Sequence, residues 1–176
     1  VYTTKTIHDA LAVHSFTAPV IAPCRRVLEA DCPAVIDGME VTPFVVPHDA
    51  KETVGYSVLA EGHRFVIMTD IGKMTDEALA YASQADTLVI ESNYDVDMLL
   101  GGSYTYELKM RIMQGSGHLS NDECASALRR VWHSGLKNVF LCHLSANNNT
   151  PDSAYRASFE SLALVSGKGA AGAALH

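Results

Sequence analysis

Positive charge is scarce in this chain: 13 Lys and Arg stand against 20 Asp and Glu, a formal net charge of −7 with a pI near 5.5. That balance argues against a generally basic nucleic-acid-binding surface, though a local cationic groove or a divalent metal can still hold phosphate. Paired cysteine motifs are missing as well. Cys24, Cys32, Cys124 and Cys142 are scattered without a CxxC, each beside an apolar or helical pattern, which suits reduced, buried thiols in a cytoplasmic compartment. No apolar run approaches the ~20 residues of a membrane span, and Val1-Tyr2-Thr3-Thr4-Lys5 lacks the charge, apolar and small-residue order of a secretory signal. There is no initiator Met, so the start at Val1 reads as sequence from within a longer protein.

What remains is ordinary for one globular domain: 176 residues, 48% hydrophobic and 19% charged, with no internal repeat. Thr6 to Val13 reads as a short helix, after which Pro19, Pro23 and Pro33 break the chain into extended pieces and loops. Three β-rich runs follow, Glu40 to Val46, Val54 to Leu59 and Arg64 to Met68, the last two joined through Ala60-Glu61-Gly62-His63 as a hairpin. The pattern then alternates. A helix from Thr75 to Ser83 precedes the strand Thr87 to Ile90; a second helix spans Tyr104 to Gln114. Ser120 with Glu123 forms a capping box that starts a helix ending near His133, Asn138 to Cys142 is a buried strand, and Pro151-Asp152 opens a last helix. Strands paired first and then alternating with helices predict a layered α/β domain. The Gly- and Ala-rich stretch 166–176 reads as a loose tail after a domain over 1–165.

Four of the apolar runs end in a short polar stretch that carries a metal-binding side chain: Pro47-His48-Asp49, Thr69-Asp70, Ser116-Gly117-His118 and Cys142-His143. Strands that deliver such groups to one rim of a sheet point to metal-assisted hydrolysis. A lone histidine at a strand end is more often structural, but four endings together weigh against that reading. Two imidazoles and a carboxylate suit zinc or manganese better than calcium. Glu91 and Asp95 read equally as partners of the ligands or as helix caps. Asn147, Asn148 and Asn149 read first as turn residues, and His8, His14, His63 and His133 as surface or packing residues.

The segments His48 to Tyr56, Thr69 to Gly72, Glu91 to Asp95, Ser116 to Asn121 and Cys142 to Asn148 together resemble the metallo-β-lactamase superfamily. Within it the branch they are most similar to is the YycJ/WalJ-type exonucleases, relatives of ribonuclease Z, and the resemblance runs in order over about residues 1 to 164. It implies an αββα sandwich, incomplete at its N-terminus, with a two-metal site between the sheets. By the same resemblance His48 is a ligand of the first metal, Asp70 bridges both, and His143 binds the second. His118 matches the extra histidine of the phosphodiesterase branches, placed to touch the scissile phosphate or protonate the leaving oxygen.

One departure qualifies that set. The family's His-x-His-x-Asp-His cluster occurs nowhere in the 176 residues, and its place would lie upstream of Val1. With one histidine per metal and a shared carboxylate, neither ion reaches the three or so protein ligands of a catalytic site. This chain alone is therefore expected to bind metal weakly or not at all and to be inactive, although the function implied is a nuclease acting on DNA or RNA through two divalent ions, zinc or manganese. A second reading keeps the fold and changes the substrate to a thioester, lactone or cyclic phosphodiester; a third is a non-catalytic binding module. Absent N-terminal strands would expose a sheet edge and part of the core, which makes association with a second copy an expectation.

Overall fold

Two hydrogen-bonded sheets organise the chain in the computed structural model, which describes residues 1–167 and 172–176. The smaller is built at the N-terminus. There β1 (Tyr2–Thr4) leads into α1 (Lys5–Ala12), the chain turns through α2 (Ala18–Ile21) and a short 3-10 turn, and β2 (Arg26–Leu28) returns parallel to β1. The larger sheet takes β3 (Ala34–Ile36), β4 (Met39–Val46), β5 (Thr53–Ala60) and β6 (His63–Met68) as successive antiparallel neighbours. After α3 (Asp76–Ala82) come β7 (Thr87–Glu91), α4 (Val96–Gly101), α5 (Tyr106–Met113) and α6 (Asn121–Val131). Then β8 (Asn138–Cys142), α7 (Pro151–Ser166) and β9 (Ala174–Leu175) complete the chain, with β6, β7, β8 and β9 paired in parallel.

The turns follow from local chemistry. Asp37-Gly38 and Glu61-Gly62 all have positive φ (49, 84, 51 and 76°), the pattern of two-residue hairpin turns whose twist matches the strands they join. The first of them joins β3 to β4, a hairpin signalled by Asp-Gly that the strand pattern alone leaves as loop. Ser120 and Glu123 close the capping box reciprocally, so α6 starts where the sequence places it.

Alternation decides which face is core. Phe44, Val46, Val66, Met68, Leu88, Ile90 and Val139 point to one side and are buried against Ala78 and Ala82 of α3, Leu128 and Val131 of α6 and Leu162 of α7. At about 1.5–3 kcal/mol for each large apolar side chain, this layer dominates the stability of the domain. Asp86 secures the opposite end of the sheet from the loops that follow β4, β6 and β8. Its carboxylate accepts from the Arg64 backbone N–H at 2.8 Å, and its own backbone bonds Arg64, Lys137 and Asn138.

Three expectations change. The helix over Tyr104–Gln114 is shorter, and a separate helix, α4, precedes it, started by Asp95, whose side chain accepts from Met98 N–H at 3.0 Å. The expected loose tail instead ends in order: β9 adds to β8, and His176 exchanges backbone bonds with Val139 and Leu141 while stacking on Phe140. Residues 168–171 of that stretch lie outside the described residues. Cys24 and Cys32 are exposed, because the proline-broken segment that carries them runs over the surface; Cys124 alone is fully buried, and all four thiols are free. Of the two places expected for His8, surface or packing, it takes the second: it is buried, its Nε2 set 2.9 Å from the Arg26 carbonyl across the small sheet. Among the described residues no helix is long and apolar enough to cross a membrane.

Candidate metal centre

The parallel run of β6, β7 and β8, with β4 oriented alike two strands away, brings four strand ends to one rim. His48 follows β4, Asp70 follows β6, Glu91 closes β7 and His143 follows β8. His118 arrives from the loop between α5 and α6. The four residues expected to act together are therefore neighbours: the His118 ring lies 5.1 Å from that of His48 and 5.2 Å from that of His143, centre to centre. Asp70 Oδ1 sits between the other two imidazoles, 3.8 Å from His48 Nε2 and 3.6 Å from His143 Nε2.

Two of these positions are held in an unusual backbone conformation. Asp70 has φ 53° and His143 φ 55°, the left-handed region, which costs about 1 kcal/mol or more for a side chain with a Cβ. Asp and His tolerate it better than most residues. Each leaves its strand with a sharp turn that aims the side chain across the rim rather than along it. Gly72 does comparable work by having no side chain. A Cβ there would stand 2.6 Å from Gly117 N and Ser116 Cα, so the loop carrying His118 approaches only because this position is glycine.

Hydrogen bonds then select the free nitrogen of each ring. The Gly117 carbonyl accepts from His48 Nδ1 at 3.0 Å, and one oxygen of Glu91, Oε1, accepts from both His118 Nδ1 and His143 Nδ1 at 2.7 Å. An Nδ1 that donates leaves Nε2 with its lone pair, the form a metal requires. Glu91 is fully buried, and its second oxygen accepts from the Ile71 N–H at 2.8 Å. The Asn93 amide adds a 2.7 Å bond to the His143 carbonyl. The Glu91 carboxylate raises the pKa of His118, against an opposing effect of burial.

This donor chemistry fits a divalent ion: two Nε2 lone pairs flank one carboxylate oxygen at separations close to the ~3.4 Å expected of donors sharing a tetrahedral ion. His48, Asp70 and His118 also offer ligand atoms within 4.8 Å of one another, as do Glu91, His118 and His143. The second grouping is better described as a hydrogen-bonded support, because its contacts are Nδ1 donors on a carboxylate already fixed by the backbone. Even with His118 counted, the described residues provide four donors, short of three for each of two ions.

Around the centre lies an open pocket of about 490 Å³. Asp49, Tyr104, Leu108, Arg111, Asn93 and Ser145 contribute to its walls. Arg111 Nε donates to Asp49 Oδ2 at 2.5 Å and holds that carboxyl below the usual range. Glu91 was only half legible in sequence, and Asn93 and Arg111 were not legible at all: their roles depend on partners 20 to 62 positions away. Asp95 caps α4. Asn149 is a buried strut, its amide bonding Ser92 O, Asn93 O and Asn121 Oδ1. His63 and His133 bond Thr87 and the Ala85 carbonyl and take no part in the centre.

The model of the β-lactamase superfamily domain matches residues 1–143. Exodeoxyribonuclease WalJ of Streptococcus pneumoniae is 30% identical over 162 residues, 92% of this chain and 60% of that protein. Exodeoxyribonuclease YycJ of Bacillus anthracis is 36% identical over 111 residues, 63% of this chain and 42% of that protein. The chain thus spans about 60% of the length of WalJ. Among solved structures, Zn(2+)-bound PqqB from Methylobacterium extorquens superposes with a TM-score of 0.66 at 19% identity, over 99% of this chain and 61% of that one.

Proposed function

Because the chain belongs to the β-lactamase superfamily, we propose that its rim of histidines is part of the centre of a metal-dependent phosphodiesterase that cleaves DNA. The observation that carries this reading is the matched set of anchored Nδ1 and free Nε2 atoms around Asp70. The substrate class is supported by the two relatives named exodeoxyribonucleases. His48 and His143 would each hold an ion through Nε2, with Asp70 between them; zinc and manganese both suit that mixture. When bound, the metal pair supplies an acidified water and neutralises phosphate charge.

The chain's own residues do the rest. Glu91 fixes the ring planes of His118 and His143 and keeps the His143 Nε2 lone pair free. His118, its Nδ1 tied to Glu91 and its pKa raised by that contact, carries a proton at neutral pH more readily than a free histidine and delivers it from Nε2 to the departing oxygen. Glycine-tight packing of the 115–118 loop on Gly72 sets that nitrogen beside Asp70. Burial of Glu91 and Ser92 keeps water away from the supporting bonds. Since the described donors fall short of three per ion, the 176-residue chain holds metal weakly.

Equilibrium titration with Zn or Mn, paired with cleavage assays on DNA in metal excess, tests the assignment. His48→Ala or Asp70→Ala should remove metal binding, whereas His118→Ala should keep it and eliminate cleavage. Undiminished metal binding after His48→Ala and Asp70→Ala together would overturn the ligand set. Hydrolysis of thioesters or lactones without any phosphodiester cleavage would overturn the substrate class.

A further inference from the structure

Arg111 is the only Lys or Arg among the described residues that line the pocket; Asp49 and Asp70 are its acidic members. In a chain of net charge −7, a polyanion is repelled at a distance, so one well-placed cation at the mouth decides where it settles. The other base of α5 is already committed. Lys109 Nζ donates to the carbonyls of Leu100 and Gly102, both at 2.7 Å, and thereby closes the end of α4. Arg111 uses only Nε on the protein, through the 2.5 Å bond to Asp49. Its two terminal nitrogens make no hydrogen bond within the described chain, and its side chain is 67% exposed. The Asp49 contact therefore fixes the guanidinium plane and leaves its outer edge free, the pre-organised fork that matches phosphate oxygens. Asp49 adjoins His48, with Oδ1 3.4 Å from His48 Nε2, so the fork is tethered one residue from a ligand.

We infer that Arg111 seats the phosphodiester next to the one presented to His118 and Asp70, and that it thereby selects a polynucleotide over a small phosphate ester. The inference rests on the phosphodiesterase reading above and deepens it. A substrate with a single phosphate fills the position at the histidines and leaves the Arg111 edge unused. A strand with two or more consecutive phosphates engages both. Tyr104 presents its ring on the same wall, its hydroxyl accepting from the Asn147 amide at 3.0 Å, where the base attached to the seated phosphate can stack.

The test measures binding of a fluorescein-labelled single-stranded DNA of about ten nucleotides to the 176-residue chain by anisotropy across a KCl series. Arg111→Gln should weaken binding about tenfold and reduce the slope of log Kd against log salt by about 0.7, one phosphate contact on a single strand. Arg111→Lys should restore the slope and only part of the affinity, since it returns the charge without the fork. Arg130→Gln, exposed on α6 and outside the pocket lining, should change neither. Equal affinity and slope in wild type and Arg111→Gln, with DNA still bound, would overturn the role of Arg111 and leave the phosphodiesterase reading intact. So would an equal loss from Arg130→Gln, which would make the attraction diffuse. Failure of the wild-type chain to bind DNA, together with hydrolysis of a thioester or lactone, would overturn the inference and the reading together.

Discussion

Glu91 shows how much of a metal centre resides in residues that need never touch the metal. Three N–H groups converge on its carboxylate, from Ile71, His118 and His143, and nothing of it is exposed. Glu91→Gln keeps the volume but offers one oxygen where two are used and turns an amide N–H toward a donor. The expected result is a loss of stability of about 1–3 kcal/mol in urea denaturation and a metal affinity lower by about 10–100-fold in titration. Stability and affinity equal to wild type would mean that the imidazoles are oriented by packing instead. At this scale the sequence reveals residue types at strand ends, which is why His48, Asp70 and His143 could be named; His118 follows helix α5 instead, and its place came from the family resemblance. It reveals supporting bonds poorly. The link between Glu91 and His143 spans 52 positions and has no local pattern, and that between Arg111 and Asp49 spans 62.

Elements with strong local chemistry were legible, and those set by tertiary contact were not. The capping box at Ser120, the Glu61-Gly62 hairpin and the strand Asn138–Cys142 are specified within a few residues. By contrast α4 is six residues long, too short for periodicity to announce it, and its start depends on one Asp95 cap. β9 exists because β8 offers a free edge, which no feature of Ala174-Leu175 itself discloses. The loop bearing His118 belongs with these. Its path is fixed by bonds from Gly117 N–H to the Gln114 carbonyl at 2.7 Å and from His118 N–H to the Ile112 carbonyl at 3.0 Å, and by the absence of a Cβ at Gly72, which lets 115–117 lie against the β6 rim. Gly72→Ala places a methyl group against backbone that cannot swing aside. The chain should fold with stability reduced by about 1–3 kcal/mol, and His118 should move off Glu91. Histidine NMR titration checks this. Loss of the upward pKa shift of His118 is the expected outcome, and an unchanged titration would show that the loop has other room to settle.

At the scale of the whole molecule, the seven-stranded sheet has one face sealed by α3, α6 and α7 and the other largely apolar but only partly covered. Alternation and register put Met39, Val41, Val45, Val54, Val58, Phe65, Ile67, Val89 and Phe140 on that second face. Met39, Val45 and Phe140 are 37%, 40% and 40% exposed. The two-stranded sheet covers part of this face, where Tyr56 of β5 donates to Thr3 Oγ1 at 3.0 Å and Thr4 bonds Glu52. From sequence, the expectation is that absent N-terminal strands expose a sheet edge and part of the core. A contiguous apolar surface left in water drives association. Sedimentation velocity should therefore show the 176-residue chain self-associating as its concentration rises. Val45→Lys combined with Phe140→Lys should shift it toward monomer and reduce binding of an apolar fluorescent dye, with the far-UV circular dichroism unchanged. A wild-type chain that stays monomeric and binds no dye across that range would show that the face is closed in solution. The partial cover given by β1 and β2 would then extend beyond the contacts at Thr3 and Thr4.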